Sequence, residues 1–205
     1  MTTSTHSVPN HHAHHHGFSG VSGLLAGLTM VIGRGGVARL AADLVQVKRG
    51  DRLVDVGCGP GTAARVAARR GATVTGVDPA GVMLRLARLL TLGRPSIRWT
   101  EGTAEQLPLD DGAATALWSL STVHHWRDVD AGIAEARRVL APGGRLLAIE
   151  RRVRAGATGL ASHGWTKEQA EAYADLCGAA GFTNMSVETH TPGRGAVLTV
   201  LATAP

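Results

Sequence analysis

The run Leu53-Val54-Asp55-Val56-Gly57-Cys58-Gly59-Pro60-Gly61-Thr62 restricts what this chain can become more than any other stretch. It reads as a short apolar strand that breaks into glycines at alternate positions. Glycine is needed where the backbone turns sharply and where no side chain can stand between main chain and ligand. An apolar helix pattern follows at once, from Ala63 to Arg69. The next apolar run, Ala72-Thr73-Val74-Thr75-Gly76-Val77, ends in Asp78. That carboxylate lies about 20 residues beyond the first glycine, where the second strand of a nucleotide-binding βαβ unit would place it beside a ribose. The pattern points to an adenosine-containing cofactor.

Strand and helix patterns alternate from there to the C-terminus. Strands are expected at Arg52–Val56, Thr73–Val77, Ile97–Glu101, Ala114–Leu120, Gly144–Arg151, Asn184–His190 and Ala196–Ala202. Helices are expected at Thr62–Arg70, Ala80–Leu90, Val129–Leu140 and Lys167–Ala180, with Pro142-Gly143-Gly144 as a turn before the fifth strand. Such alternation forces parallel strands with crossover helices on both faces. The last two strands are joined by Thr191-Pro192-Gly193-Arg194-Gly195, too short for a crossover, and so form an antiparallel hairpin. The fold class is therefore α/β and Rossmann-like, a seven-stranded, mostly parallel sheet ending in an antiparallel hairpin.

The glycine spacing is G-x-G-x-G, with Thr62 where a dinucleotide fingerprint has its third glycine. No Gly-Lys-Ser/Thr ending is present, so the loop is not a P-loop either. Val-Asp-Val-Gly-Cys-Gly-Pro-Gly-Thr resembles the first motif of class I S-adenosylmethionine (SAM)-dependent methyltransferases, in particular the small-molecule, type 11 branch that includes the ubiquinone/menaquinone C-methyltransferases. The resemblance continues in order. It runs through Gly76-Val77-Asp78-Pro79, the segment Glu101–Asp110, the strand and loop Ala116–Trp126, and the helix, turn and strand Glu135–Leu146. It covers about residues 40 to 150, and five collinear motifs are more specific than one glycine-rich loop.

The resemblance implies the class I methyltransferase fold and SAM as cofactor. It implies that the loop with Asp55, Gly57, Cys58, Gly59 and Gly61 seats the methionine part, with Asp55 near its ammonium group. Asp78 would accept the ribose hydroxyls, while Pro79 and Met83 would line the adenine, although Met83 also suits the core. The family usually has an adenine-binding Asp where Thr103 stands, which leaves Ala104 and Glu105 to contribute. Ser119 and Leu120 would offer a backbone carbonyl to the ammonium group.

His124, His125 and Trp126 follow, above the expected methyl group. Histidine suits the uptake of a proton from a hydroxyl or amine. His124 or His125 is the candidate base, with Glu150 at the end of the fifth strand as a second candidate. The alternative is that these histidines orient the loop or pack under Trp126. His163 and Trp165 are expected to line the substrate pocket.

With 44% hydrophobic and 18% charged residues over 205 positions, the chain is a globular domain long enough for a full α/β core. Aromatics make up 3%, so Ala, Val and Leu must build that core. The net charge of +5 comes from arginines spread along helix patterns, which reads as solvated helix faces rather than a nucleic-acid surface. Cys58 and Cys177 do not make a disulfide framework, and a reduced, cytoplasmic setting is expected. Val21–Ile32 is too short and glycine-rich to span a bilayer, and no Lys or Arg precedes it as in a signal peptide.

Three regions are expected: a disordered His-rich tail at 1–17, a helical cap at 18–47 and the cofactor domain at 48–205. The tail histidines His11, His12, His14, His15 and His16 suit a transition metal, but the reading taken is a solvated tail or tag, and no metal ligands are assigned.

Three function classes remain. The first is methyl transfer from SAM to a small-molecule acceptor by in-line displacement. The second, a nucleic-acid methyltransferase, is disfavoured because Ser119-Leu120-Ser121-Thr122 replaces the Asn/Asp-Pro-Pro-aromatic tetrapeptide and no Pro-Cys is present there. The third is a non-enzymatic SAM-binding or metal-binding protein.

Overall fold

The computed structural model describes residues 9–10, 35–93, 95–193 and 195–205. The tail histidines and the helix expected at Val21–Ile32 lie outside them. The elements are α1 (Gly35–Leu44), β1 (Arg52–Val56), α2 (Thr62–Arg69), β2 (Thr73–Asp78), α3 (Gly81–Leu90), β3 (Ile97–Glu101), β4 (Ala114–Leu120), α4 (Val129–Val139), β5 (Leu140–Arg151), α5 (Lys167–Ala179), β6 (Thr183–His190) and β7 (Val197–Thr203). Single 3₁₀ turns at Val123–His125 and Gly159–Ser162 follow β4 and β5.

The seven strands form one sheet in the order β3-β2-β1-β4-β5-β7-β6. The first five run parallel, and β7 enters antiparallel between β5 and β6. The order reverses between β1 and β4, the crevice position where open α/β sheets bind ligands at the carboxyl ends of their strands. Central strands read as unbroken apolar runs because both their faces are covered: after exposed Arg52, all of β1 is buried.

Two cores sandwich the sheet. On one face α1 and α2 bury Ala38, Ala41, Ala42, Ala63, Ala64 and Ala67, small side chains that let these helices lie close to the strands. On the other, α4 and α5 contribute Ile133, Ala136, Val139, Tyr173 and Cys177, joined by Trp126 and Trp165. Cys58 and Cys177 are both buried, free thiols. No helix among the described residues is long and apolar enough to cross a membrane.

Two local expectations change. The Pro142-Gly143-Gly144 turn is absorbed into β5, where Leu140 already pairs with Ala114 before a register shift. Gly143 takes φ 73°, and its amide donates to the Ala204 carbonyl, so the irregular stretch keeps its backbone satisfied by β7's C-terminal extension. Pro9 and Asn10, expected within a disordered tail, are held against the domain. The Pro9 carbonyl accepts the Trp165 indole N–H at 2.8 Å, and Asn10 Nδ2 donates to the Trp126 carbonyl at 3.0 Å. A fully buried indole N–H requires an acceptor, and Pro9 supplies it.

Candidate cofactor and acceptor site

The loop after β1 is built around three glycines with φ of 69°, 51° and 77° at Gly57, Gly59 and Gly61. Each has its own reason for lacking a side chain. A Cβ on Gly57 would meet the Thr122 side chain, and one on Gly61 would overlap the Trp99 ring. At Gly59 a Cβ would meet no described atom within 4 Å, and Gly59 lines the cleft. Here the backbone is bare toward ligand space. The amides of Gly57 and Cys58 both donate to the Val77 carbonyl, tying the loop to the end of β2.

Asp78 closes the same unit. Its Oδ2 accepts from the Gly59 amide and its Oδ1 from the Ala80 amide, each at 2.8 Å. Burial raises its pKa, and the two amide bonds lower it. Each oxygen keeps lone-pair capacity for a hydroxyl donor from the cleft.

Asp55 is the most strained electrostatic element. It is 2% exposed, and Oδ2 has no hydrogen-bond partner among the described residues. Burial pushes its pKa up to about 7; the Trp118 indole and the Ala64 amide pull it back, and the charge of Asp78 raises it further. Trp118 influences the carboxyl from nearby without reaching hydrogen-bond geometry, since its Nε1 also lacks a partner among the described residues. An orphaned carboxylate oxygen in a sealed site is costly unless a donor or cation reaches it.

These groups line a cleft of about 910 Å³, at the upper end of the range for small-molecule sites. Of the residues expected to hold cofactor, Asp55, Gly57, Cys58, Gly59, Asp78, Pro79, Met83, Thr103, Ala104, Glu105 and Leu120 all line it. Gly61 and Ser119 do not. Gly61 serves the packing of Trp99, and the Ser119 hydroxyl is bonded to Thr122 Oγ1 beneath the loop. The Glu105 carboxylate is already engaged, accepting the Arg127 amide at 2.7 Å and the Asp128 amide at 3.4 Å. It ties the segment after β3 to the loop after β4. Ser121, Thr122 and Arg127 also line the cleft, as do Val37 and Ala38 of α1. None of these five is singled out in the sequence as a site residue, although Ser121 and Thr122 lie within the Ala116–Trp126 motif.

The three-residue turn after β4 sets two histidines side by side with different fates. His124 is buried, and its Nδ1 lies 2.7 Å from Oε2 of the fully buried Glu150. Neither residue lines the cleft; the pair lies behind its lining. His125 and His163 do line it. Ring centroids stand 4.1 Å apart for His124 and His125, and 5.3 Å for His125 and His163. Trp165, expected beside them, faces the core instead: it is fully buried, with its ring centroid 5.1 Å from that of Tyr173. Trp126 does line the cleft and is seated over Gly132, where a Cβ would collide with its ring.

Residues 54–148 match a family model described as "Methyltransferase domain". The matched segment is a methyltransferase domain. Among curated proteins, the chain is 38% identical over 131 residues to the ubiquinone/menaquinone biosynthesis C-methyltransferase UbiE of Caulobacter vibrioides, covering 57% of this chain and 52% of that protein. The chain spans about half the length of the curated relatives it matches. Among solved structures, a SAM-dependent methyltransferase from Aquifex aeolicus superposes with a TM-score of 0.73 at 16% identity, covering 88% of this chain and 98% of that one. The cyclase SpnF superposes with a TM-score of 0.71 at 23% identity, covering 83% and 80%. The shared fold is thus the class I methyltransferase fold. The presence of a cyclase among its bearers means that the reaction must be argued from the site of this methyltransferase domain, not from its architecture.

Proposed function

We propose that this chain transfers a methyl group from SAM to a small-molecule acceptor and releases S-adenosylhomocysteine (SAH). The observation that carries this reading is the pairing of two buried carboxylates across a bare glycine. Asp55 has an oxygen without a partner among the described residues, and Asp78 anchors the Gly59 amide. One suits a ligand's ammonium group and the other its ribose hydroxyls.

SAM, when bound, supplies a methyl group already activated on a sulfonium. The protein's share is to position, to shield and to manage a proton. Asp55 and Asp78 would fix the two ends of the aminoacyl and ribose portion. Pro79, Met83, Thr103 and Ala104 would border the adenine. His125, His163 and Trp126 of the lining would meet the acceptor, and His124 and Glu150 stand behind them. Similarity to a quinone C-methyltransferase favours an apolar, hydroxyl-bearing ring as acceptor, and the cleft's volume leaves room for one.

The test is calorimetric titration with SAH in the presence of EDTA, on the native chain, Asp78→Ala and Asp55→Asn. Micromolar binding by the native chain, weakened at least about tenfold in both variants, supports the reading. Absence of SAH binding by the folded native chain overturns it. Asp55→Asn, which leaves the Asp78 hydrogen bonds in place, guards against a fold defect in Asp78→Ala.

A further inference from the structure

We propose that His124, His125 and His163 form a binding site for a divalent transition-metal ion at the acceptor end of the cleft, with Glu150 as the positioning residue behind His124. One nitrogen from each of the three rings lies within 4.8 Å of the others. His124 and His125 are neighbours on one turn, whereas His163 arrives from the loop after β5, so tertiary structure has assembled the cluster.

The interaction behind the cluster is the second observation. Nδ1 of His124 is committed to Oε2 of Glu150 at 2.7 Å, and both side chains are sealed from solvent. This fixes ring orientation, so a metal bond from His124 would be made by Nε2. A carboxylate bonded to the far nitrogen of a ligating imidazole is the recurrent support of histidine metal sites. It also places a buried negative charge one ring away from where a cation would sit.

Donor chemistry narrows the ion. Three imidazoles and no oxygen ligand suit zinc and its neighbours, not magnesium or calcium. Nitrogens about 2.0–2.1 Å from a tetrahedral ion stand about 3.4 Å apart, so the cluster needs to close by no more than about 1.4 Å. His125 and His163, both half-buried, are the rings that would turn to close it. Three protein ligands leave one position open, and because His125 and His163 line the cleft, it opens toward the acceptor. Resting on the methyl-transfer reading, the ligand for that position is the oxygen of a hydroxyl-bearing acceptor, whose O–H the ion acidifies so that its proton passes to solvent.

The test separates this cluster from the N-terminal histidines. The background is the full chain with His6→Gln, His11→Gln, His12→Gln, His14→Gln, His15→Gln and His16→Gln, stripped with EDTA and dialysed. Zinc is titrated in competition with a chromophoric chelator, and SAH binding is measured on the same samples. One zinc per chain is expected, with His125→Ala and His163→Ala each weakening it at least about tenfold and Glu150→Gln weakening it about 10–100-fold. Far-UV circular dichroism and a thermal melt unchanged in these variants would show that the fold is intact. A background that binds SAH but no zinc overturns the metal site and leaves the methyl-transfer reading standing, as does zinc binding that His125→Ala does not move. Zinc bound without SAH overturns that reading and the acceptor role, and upholds the site.

Discussion

The indole N–H of Trp99 donates to Thr91 Oγ1 at 3.0 Å, and the ring so held lies against two glycines, Gly61 of the loop after β1 and Gly76 of β2. Thr91 is itself anchored, its hydroxyl donating to the Ala87 carbonyl at 2.7 Å. The end of α3 thus holds an aromatic side chain against the cofactor loop. Gly76→Ala should destabilise the protein by about 1–3 kcal/mol through overpacking, and Trp99→Ala in the same chain should recover much of that loss. Gly61→Ala adds backbone strain at φ 77°, so removing Trp99 should rescue it less. Urea denaturation of the two double-mutant cycles checks this; equal rescue at both positions would contradict it.

Asp55 makes stability and ligand binding depend on pH in opposite directions. Its carboxyl titrates at about 7 in the folded protein against an ordinary 3.8. The folded state therefore prefers the protonated form. Its contribution to stability is fully present below about pH 4 and is lost as pH rises toward 7. A cationic ligand group favours the ionised form, so SAH affinity should climb, by at most about tenfold per unit, until pH passes 7. Asp55→Asn should flatten both slopes. Calorimetry and thermal melts between about pH 5 and 8 decide the matter, and parallel slopes for native and Asp55→Asn chains would refute the assignment.

Glu150 should matter to stability without touching the cofactor. Glu150→Ala strands the His124 Nδ1 in a sealed position, at a cost of about 1–3 kcal/mol, whereas Glu150→Gln keeps a hydrogen-bond partner and should cost less. SAH affinity should stay within about twofold in both, because Glu150 does not line the cleft. A large loss of SAH affinity in a folded Glu150→Gln chain would show that the two ends of the cleft are coupled.

Thr103 offers a gain-of-affinity test. It lines the cleft where the wider family usually carries an adenine-binding Asp, and the nearby Glu105 carboxylate is occupied by the Arg127 and Asp128 amides. Thr103→Asp should tighten SAH binding by about fivefold, the worth of roughly one net hydrogen bond. No gain, or a loss, would place the adenine elsewhere.

How far the sequence carried the reading depended on how local each feature was. The parallel strands were legible because burial on both faces makes them continuous apolar runs, and the short Thr191–Gly195 connection disclosed the hairpin. The Pro142-Gly143-Gly144 segment was not: its pairing with Ala114 and Ala204 is made by partners far along the chain. The cofactor half of the site could be read because its loop, Asp55 and Asp78 lie within one βαβ unit. Among the acceptor candidates, His125 and His163 were legible as cleft residues, but their meeting was not, because His163 joins His125 only through the fold. Two residues on, Trp165 turns the other way to meet Tyr173 and Pro9, and irregular loops carry no periodicity from which to read that. The Glu105 carboxylate, although it lines the cleft, and the Ser119 hydroxyl also hold segments together, a duty that the motifs do not disclose.

Asp78 holds two backbone amides whether or not anything fills the cleft. A chain of this fold that bound no cofactor would still be under pressure to keep that carboxylate, because the loop and the start of α3 hang on it. The motif that most readily announces a cofactor is thus partly a record of folding. The side chains that drift first when a chemistry is given up are those with no second duty, and Asp78, like His124 with its bond to Glu150, is not one of them.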